Sequence, residues 1–78
     1  MNVKIYTTPL CPFCHMAKEY FLSHNIPFEE IDVSYDKATI KEFIAKTGQT
    51  AVPVIEVDGK FIFGFDKKEI NDIFNITT

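Results

Sequence analysis

Two cysteines, the only two in the chain, stand three positions apart in Leu10-Cys11-Pro12-Phe13-Cys14-His15-Met16. The chemistry that such a spacing serves best is reversible exchange between a dithiol and a disulfide. An apolar run, Val3-Lys4-Ile5-Tyr6, precedes the pair and a segment with helical periodicity follows it. Strand, paired thiols and helix, in that order, is the setting in which Cys-x-x-Cys reads as a redox centre. Pro12 suits the first position of a helix because its φ is already fixed near the helical value. Cys11 then becomes the N-cap and Cys14 falls in the first turn. First-turn amides have no intrahelical acceptor, and the helix dipole makes that end partly positive. A thiolate at Cys11 is therefore stabilised, and its pKa is expected well below that of a free thiol. Cys14, one turn on, is placed to attack a mixed disulfide formed on Cys11, so Cys11 is the expected nucleophile and Cys14 its resolving partner.

Other uses of the pair are weaker. A bridge placed for stability would close a very short loop, worth roughly 2 kcal/mol in chain entropy against about 3 for a fifteen-residue loop. A closed zinc site needs four ligands. Only His15 and His24 are available besides the cysteines; His15 adjoins Cys14 and His24 lies turns away on the same helix. No metal site is expected.

The elements that must hold this motif follow from patterning. Asn2 to Thr7 reads as a strand and Thr8-Pro9-Leu10 as the loop that delivers the cysteines. Pro12 to about Asn25 is a helix with Phe13, Ala17, Tyr20 and Phe21 on its apolar side, ended by Asn25-Ile26-Pro27. Phe28 to Val33 alternates apolar and acidic residues, as a strand with one wet face does. Strand, helix and strand of these lengths predict a βαβ unit. Ser34 or Asp36 caps a second helix reaching Thr47, with Ile40, Phe43 and Ile44 facing inward and Gly48 as its stop. Val52 to Val57 is a third strand, and Asp58-Gly59 a tight turn into Lys60 to Phe63. Asp66, with Glu69 three residues later, opens a last helix whose inner face carries Ile70, Ile73 and Phe74.

Bulk properties narrow the function. Seventy-eight residues with no repeat or linker predict one domain, 1–78, and eight phenylalanines suffice for its core. The net charge is −3, with eight lysines scattered along the chain and no arginine, which argues against a nucleic-acid surface. No apolar run reaches membrane-spanning length, and the start, Met1-Asn2-Val3-Lys4, lacks the apolar core of a signal peptide. A single redox-type pair fits a reducing cytoplasm, and the chain is expected to be a monomer.

The element order β-α-β-α-β-β-α with Cys11-Pro12-Phe13-Cys14 opening the first helix resembles the glutaredoxins of the thioredoxin superfamily. The resemblance rests on Tyr6-Thr7, the cysteine motif, Ala51-Val52-Pro53, and Asp58-Gly59 followed by Gly64-Phe65-Asp66, and runs over essentially the whole chain. It implies an α/β, thioredoxin-like fold with a four-stranded mixed sheet flanked by three helices. It also implies an oxidoreductase that reduces protein disulfides or glutathione mixed disulfides, with no bound cofactor and glutathione as reductant. Cys11 is then the attacking thiol and Cys14 the resolving one. Pro53 would be a cis proline facing the dithiol, an isomer that an X-Pro bond tolerates at about 0.5–1 kcal/mol, and the backbone of Val52 would pair with an extended substrate. Pro12 and Phe13 would rim the site. The amides of Phe65 and Asp66, after the turn at Gly64, would hold a γ-glutamyl carboxylate, with Asp66 meeting its ammonium group or simply capping the helix.

The chain departs from the glutathione-using pattern in three places. Thr8 stands where such members commonly carry a lysine, Ala51 where a threonine is usual, and Phe63-Gly64 where Gly-Gly is usual. These changes resemble the glutaredoxin-like redoxins that donate electrons to ribonucleotide reductase and are recharged by thioredoxin reductase. A carrier of a [2Fe–2S] cluster between two subunits is a rival reading, which Pro12 disfavours in this family, and an interaction module with inert thiols is another. Phe13 suits an apolar rim or the core, Tyr6 the core, and His15 and Lys67 an exposed helix surface.

Overall fold

The first strand is apolar on both sides because both sides are covered. The computed structural model describes residues 1–77; position 78, the last residue of the expected domain, lies outside them. Its elements are β1 (Val3–Thr7), α1 (Pro12–Ser23), β2 (Glu29–Asp32), α2 (Lys37–Thr47), β3 (Val54–Val57), β4 (Lys60–Phe63) and α3 (Lys67–Phe74). One mixed sheet has the order β2-β1-β3-β4. β1 runs parallel to β2, with Ile5 beside Glu30 and Thr7 beside Asp32. It runs antiparallel to β3, with Tyr6 opposite Val54, and β3 pairs antiparallel with β4, Val54 opposite Phe63.

Alternation along β1 sorts its side chains between two layers. Val3 and Ile5, with Ile55, Val57 and Ile62, pack against Ala17 and Phe21 of α1 and Ile70 of α3. Tyr6 and Val54 meet Val33 and Phe43 of α2 on the opposite face. Helices thus flank the sheet two on one side and one on the other. Phe21 is fully buried, its ring 5.9 Å from that of Phe28 and 5.5 Å from that of Phe74.

The ends of the elements differ from the sequence expectation in small, physical ways. α1 stops at Ser23, because the chain turns through Asn25 at φ 56° before Ile26-Pro27. Phe28 and Val33 flank β2 and are not part of it, although Val33 N–H still donates to Thr7 O at 2.9 Å. Asp36 and not Ser34 caps α2, its carboxylate accepting from Thr39 N–H; Ser34 N–H turns back to Asp32. Ile44 is 39% exposed, since Phe43 takes the inward position and the next residue on a helix points about 100° away. β3 starts at Val54, after the proline and not before it.

Core truncation and surface truncation on one helix should separate cleanly. Phe21→Ala is expected to lower the unfolding free energy by roughly 3–5 kcal/mol, while Leu22→Ala, at an exposed neighbour, changes it by about 0.5 kcal/mol or less. Urea denaturation of both variants checks this; equal losses would mean that the two positions are not divided between core and surface.

Candidate active site

Proline opens α1, as its fixed φ allows, and this places Cys11 outside the helix as its N-cap with φ −128° and ψ 102°. Its sulfur accepts the Cys14 N–H at 3.2 Å, and its carbonyl accepts from His15 N–H at 3.2 Å. The sulfur of Cys11 therefore occupies the position of an ordinary capping oxygen, in front of amides that the helix itself leaves unpaired. Cys14 follows at a Cα separation of 5.2 Å, and the two sulfurs are joined as a disulfide. Cys14 is wholly buried. Cys11 is 9% exposed and opens onto a cavity lined by Pro9, Leu10, Pro12 and His15. Of the two cysteines, Cys11 and not Cys14 lines that cavity.

Strand register brings a second loop to the same end of the sheet. Tyr6 lies opposite Val54, so the residues just before β3 come level with the end of β1, where the chain leaves for the cysteines. The Val52–Pro53 peptide bond is cis, and Pro53 is buried. Its carbonyl accepts from Gly64 N–H at 2.9 Å, which ties the proline loop to the turn after β4. Gly64 takes φ 79°, a conformation that a residue with a Cβ rarely adopts. Asp66 caps α3, its carboxylate accepting from Glu69 N–H at 3.2 Å.

Two polar networks brace this end of the sheet. The buried Thr7 hydroxyl donates to Glu30 Oε2 at 2.9 Å, and Lys18 of α1 donates to the same oxygen at 2.9 Å. Chiefly through that bond to Lys18, and with help from Thr7, the Glu30 carboxyl is held below its ordinary range against the effect of partial burial. On the opposite face Tyr6 Oη donates to Glu56 Oε1 at 2.7 Å, and Lys46 Nζ lies 3.3 Å from Tyr6 Oη and 3.4 Å from Glu56 Oε1. Burial, and then Glu56, push the Tyr6 hydroxyl up, and the bond to Tyr6 pushes Lys46 up. For Glu56, burial acts upward but is outweighed by Tyr6 and Lys46, so its carboxyl is lowered.

The expected residues fall into place unevenly. Cys11 and Cys14 come together with Pro12 between them. Phe13 is 59% exposed, so it lies on the surface and leaves the core to Ala17 and Phe21. Tyr6 is core, and His15 is exposed with Nε2 3.3 Å from Pro9 O. Thr8 is half-buried in the loop that delivers the cysteines, and Val52 is half-buried beside Pro53. Gly64, Phe65 and Asp66 form one turn linked through Gly64 to Pro53. Lys67 Nζ sits over the Tyr20 ring, 5.3 Å from its centre. Sequence reasoning missed the Thr7–Glu30–Lys18 and Tyr6–Glu56–Lys46 networks. Their partners are 10 to 50 residues apart, and only the strand register makes them neighbours.

A sulfur at the mouth of a helix, with its partner buried one turn below, does chemistry by passing two electrons through a disulfide. On this mixed sheet, with its cis proline, it defines a dithiol oxidoreductase of the thioredoxin-like fold. Comparison with known proteins sharpens that class: the glutaredoxin family model matches residues 3–62, and the chain belongs to the glutaredoxin family, with Cys11–Cys14 as its redox pair. An uncharacterized glutaredoxin-like 8.6 kDa protein in the rubredoxin operon of Clostridium pasteurianum is 44% identical over 71 residues, 91% of this chain and 95% of its own. Glutaredoxin 3 of Escherichia coli K12 is 40% identical over 65 residues, 83% of this chain and 78% of its own. The solved structure of the glutaredoxin-like protein NrdH-redoxin from Escherichia coli, described as having a thioredoxin-like activity profile, matches with a TM-score of 0.79 at 27% identity. That match covers 94% of this chain and 95% of the other.

The Glu30 network carries a pH signature. Because folding lowers this carboxyl's pKa, its contribution is complete above the ordinary unfolded value of about 4.3 and is lost as pH falls through the folded value. The wild type is therefore expected to exceed Glu30→Gln in stability at neutral pH, and the gap should close toward about pH 3. Its size is about 1 kcal/mol or less, because the Glu30 side chain is 43% exposed and solvent screens the pair. Urea denaturation at both pH values measures it; a gap that stays constant with pH would contradict the assignment.

Proposed function

We propose that Cys11 is the nucleophile and Cys14 the resolving thiol of this oxidoreductase, acting on protein disulfides and glutathione mixed disulfides. The observation that carries the reading is the unequal placing of two bonded cysteines, with Cys11 lining a cavity at the N-terminus of α1 and Cys14 wholly buried one turn on. The reduced Cys11 thiolate attacks one sulfur of the client's S–S bond along its axis. A Cys11–client bond forms, and the other client sulfur leaves with the electron pair and takes a proton. Cys14, as thiolate, then attacks Cys11, expelling the second client sulfur and leaving the Cys11–Cys14 disulfide. Two electrons have passed to the client, and an external reductant must return them.

Glutathione is the reductant that family membership favours. Val52 would pair through its backbone with the tripeptide's extended chain, beside Pro53, and the amides of Phe65 and Asp66 would take the γ-glutamyl carboxylate. Asp66 already caps α3 through one oxygen, which leaves the other to meet the ammonium group. Pro12 and Phe13 line the approach. Thr8, half-buried in the cysteine loop, brings no positive charge to the tripeptide's other carboxylate. That observation, with the likeness to NrdH-redoxin, supports a second reading, in which thioredoxin reductase recharges the dithiol directly and the chain serves a reductase such as ribonucleotide reductase as electron donor. Under either reading we take residues 1–78 as one monomeric domain working in a reducing cytoplasm; among the described residues no helix is long and apolar enough to cross a membrane.

Two coupled assays following NADPH oxidation divide these readings: glutathione with glutathione reductase, and thioredoxin reductase alone. The first is expected to turn over faster; turnover only with thioredoxin reductase would establish the second reading. In whichever assay is active, Cys11→Ser is expected to fall to background. With glutathione present, Cys14→Ser should keep activity on glutathione mixed disulfides, because glutathione resolves that intermediate from outside, and lose it on protein disulfides. A dead Cys14→Ser beside an active Cys11→Ser would reverse the roles.

A further inference from the structure

A second cavity among the described residues does not contain the dithiol but shares His15 with the cavity at Cys11. It is a groove of about 470 Å³ between α1 and the start of α3, running from His15 and Met16 past Tyr20 to Ser23, with Phe65 and Lys67 as its opposite wall. His15 also lines the cavity at Cys11, so the two lie on either side of one side chain. A protein whose disulfide reaches Cys11 necessarily brings chain on both sides of its cysteine. One side has the proline loop to run along; this groove is open to the other.

We infer that this groove binds an extended segment of the disulfide-bearing client protein, on one side of its reactive cysteine, and selects an apolar side chain and a carboxylate there. The inference rests on the nucleophilic role proposed for Cys11. Three features fix the occupant. The first is length: nine residues of helix, from His15 to Ser23, span about 12 Å at about 1.5 Å per step, which matches three or four residues of extended chain at about 3.3 Å each. The second is apolar surface. Leu10, Phe13 and Met16, respectively 94%, 59% and 48% exposed, gather around the cysteines, and the floor of the groove continues them with Tyr20 and Phe65. An apolar rim beside an attacking sulfur excludes water from the segment that docks there.

The third is charge. Lys67 rests over the face of Tyr20, and among the described residues its ammonium has no carboxylate within salt-bridge reach; the pairs present are Lys18–Glu30 and Lys46–Glu56. A ring face steers a cation toward a groove but does not neutralise it. Tyr20 is itself fixed by its hydroxyl's bond to Asn71 of α3, so the wall does not collapse to fill the space. Glu19, on the same groove, disfavours a second carboxylate further along α1. The segment that complements these groups carries one acidic residue toward α3 and an apolar residue against α1.

The test uses short peptides joined as mixed disulfides through one cysteine, with a leucine and either glutamate or lysine within four positions of it, and hydroxyethyl disulfide as a substrate too small to reach the groove. With the wild type, kcat/KM is expected to be about three- to fivefold higher for the glutamate peptide than for the lysine peptide, the range an exposed ion pair supplies. Lys67→Glu should invert that preference. The substitution puts an acid in the first turn of α3, where the helix dipole favours it, so the fold is retained. Met16→Ser should lower both peptides by about threefold by removing apolar contact. An unchanged peptide preference in Lys67→Glu, or equal loss on hydroxyethyl disulfide, would overturn the inference. Loss of every activity in the wild type would instead sink the dithiol reading itself. Concentration-dependent dimerisation abolished by Met16→Ser would assign the groove to a second copy of this chain, and so overturn it as well.

Discussion

The sulfur of Cys11 in place of a capping oxygen is the constraint on which the rest depends. A helix needs an acceptor for its first amides, and serine, threonine, aspartate and asparagine usually supply one. Here the acceptor is one sulfur of the redox pair, bonded to Cys14 N–H at 3.2 Å. The same geometry that satisfies the start of α1 therefore points its partial positive charge at the sulfur that we propose as the nucleophile. Pro12 makes the arrangement cheap, since it has no amide of its own to satisfy and enters the helix with φ already set. Local structure and chemistry are one interaction at this point.

The sheet explains why the proline loop comes to the same end of the molecule as this helix start. β1 delivers the cysteine loop from its C-terminal end, and the antiparallel partner β3 begins at that level with Val54 opposite Tyr6. The cis proline immediately before β3 is bonded through its carbonyl to Gly64, which joins the turn after β4 to the same end of the sheet. Beneath, Thr7, Glu30 and Lys18 lock α1 to β1 and β2 from the side of the buried cysteine. The cysteine loop and the proline loop are thus both anchored to the two central strands, and Leu10, Phe13 and Met16 stand exposed beside the cysteines.

Much of this was legible in the sequence, for reasons that can be named. Cys11, Pro12 and Cys14 act locally, so spacing alone placed the N-cap. The caps at Asp36 and Asp66 and the turn at Asp58-Gly59 are likewise short-range signals, and each sits where the residues indicate. The family resemblance supplied Pro53 and its isomer, which the residues could only permit. What spacing did not reveal depends on tertiary register. Ile44 reads as core by helical period but faces water, because α2 meets the sheet along one narrow line through Phe43. Phe13 reads as either core or rim until the angle of α1 is known. Lys46 and Glu56 show no sign in the sequence of meeting at Tyr6, and Lys67 reads as an ordinary surface lysine until Tyr20 is found beneath it.

The central claim is that the start of α1 stabilises the Cys11 thiolate. It is tested most directly by the pH dependence of alkylation of reduced Cys14→Ser protein with iodoacetamide, where Cys11 is the sole thiol. The account predicts a half-maximal rate at least about one pH unit below the value of about 8.5 for a free cysteine. A midpoint at or above that value would show that the helix end leaves the sulfur as it finds it, and would contradict the account.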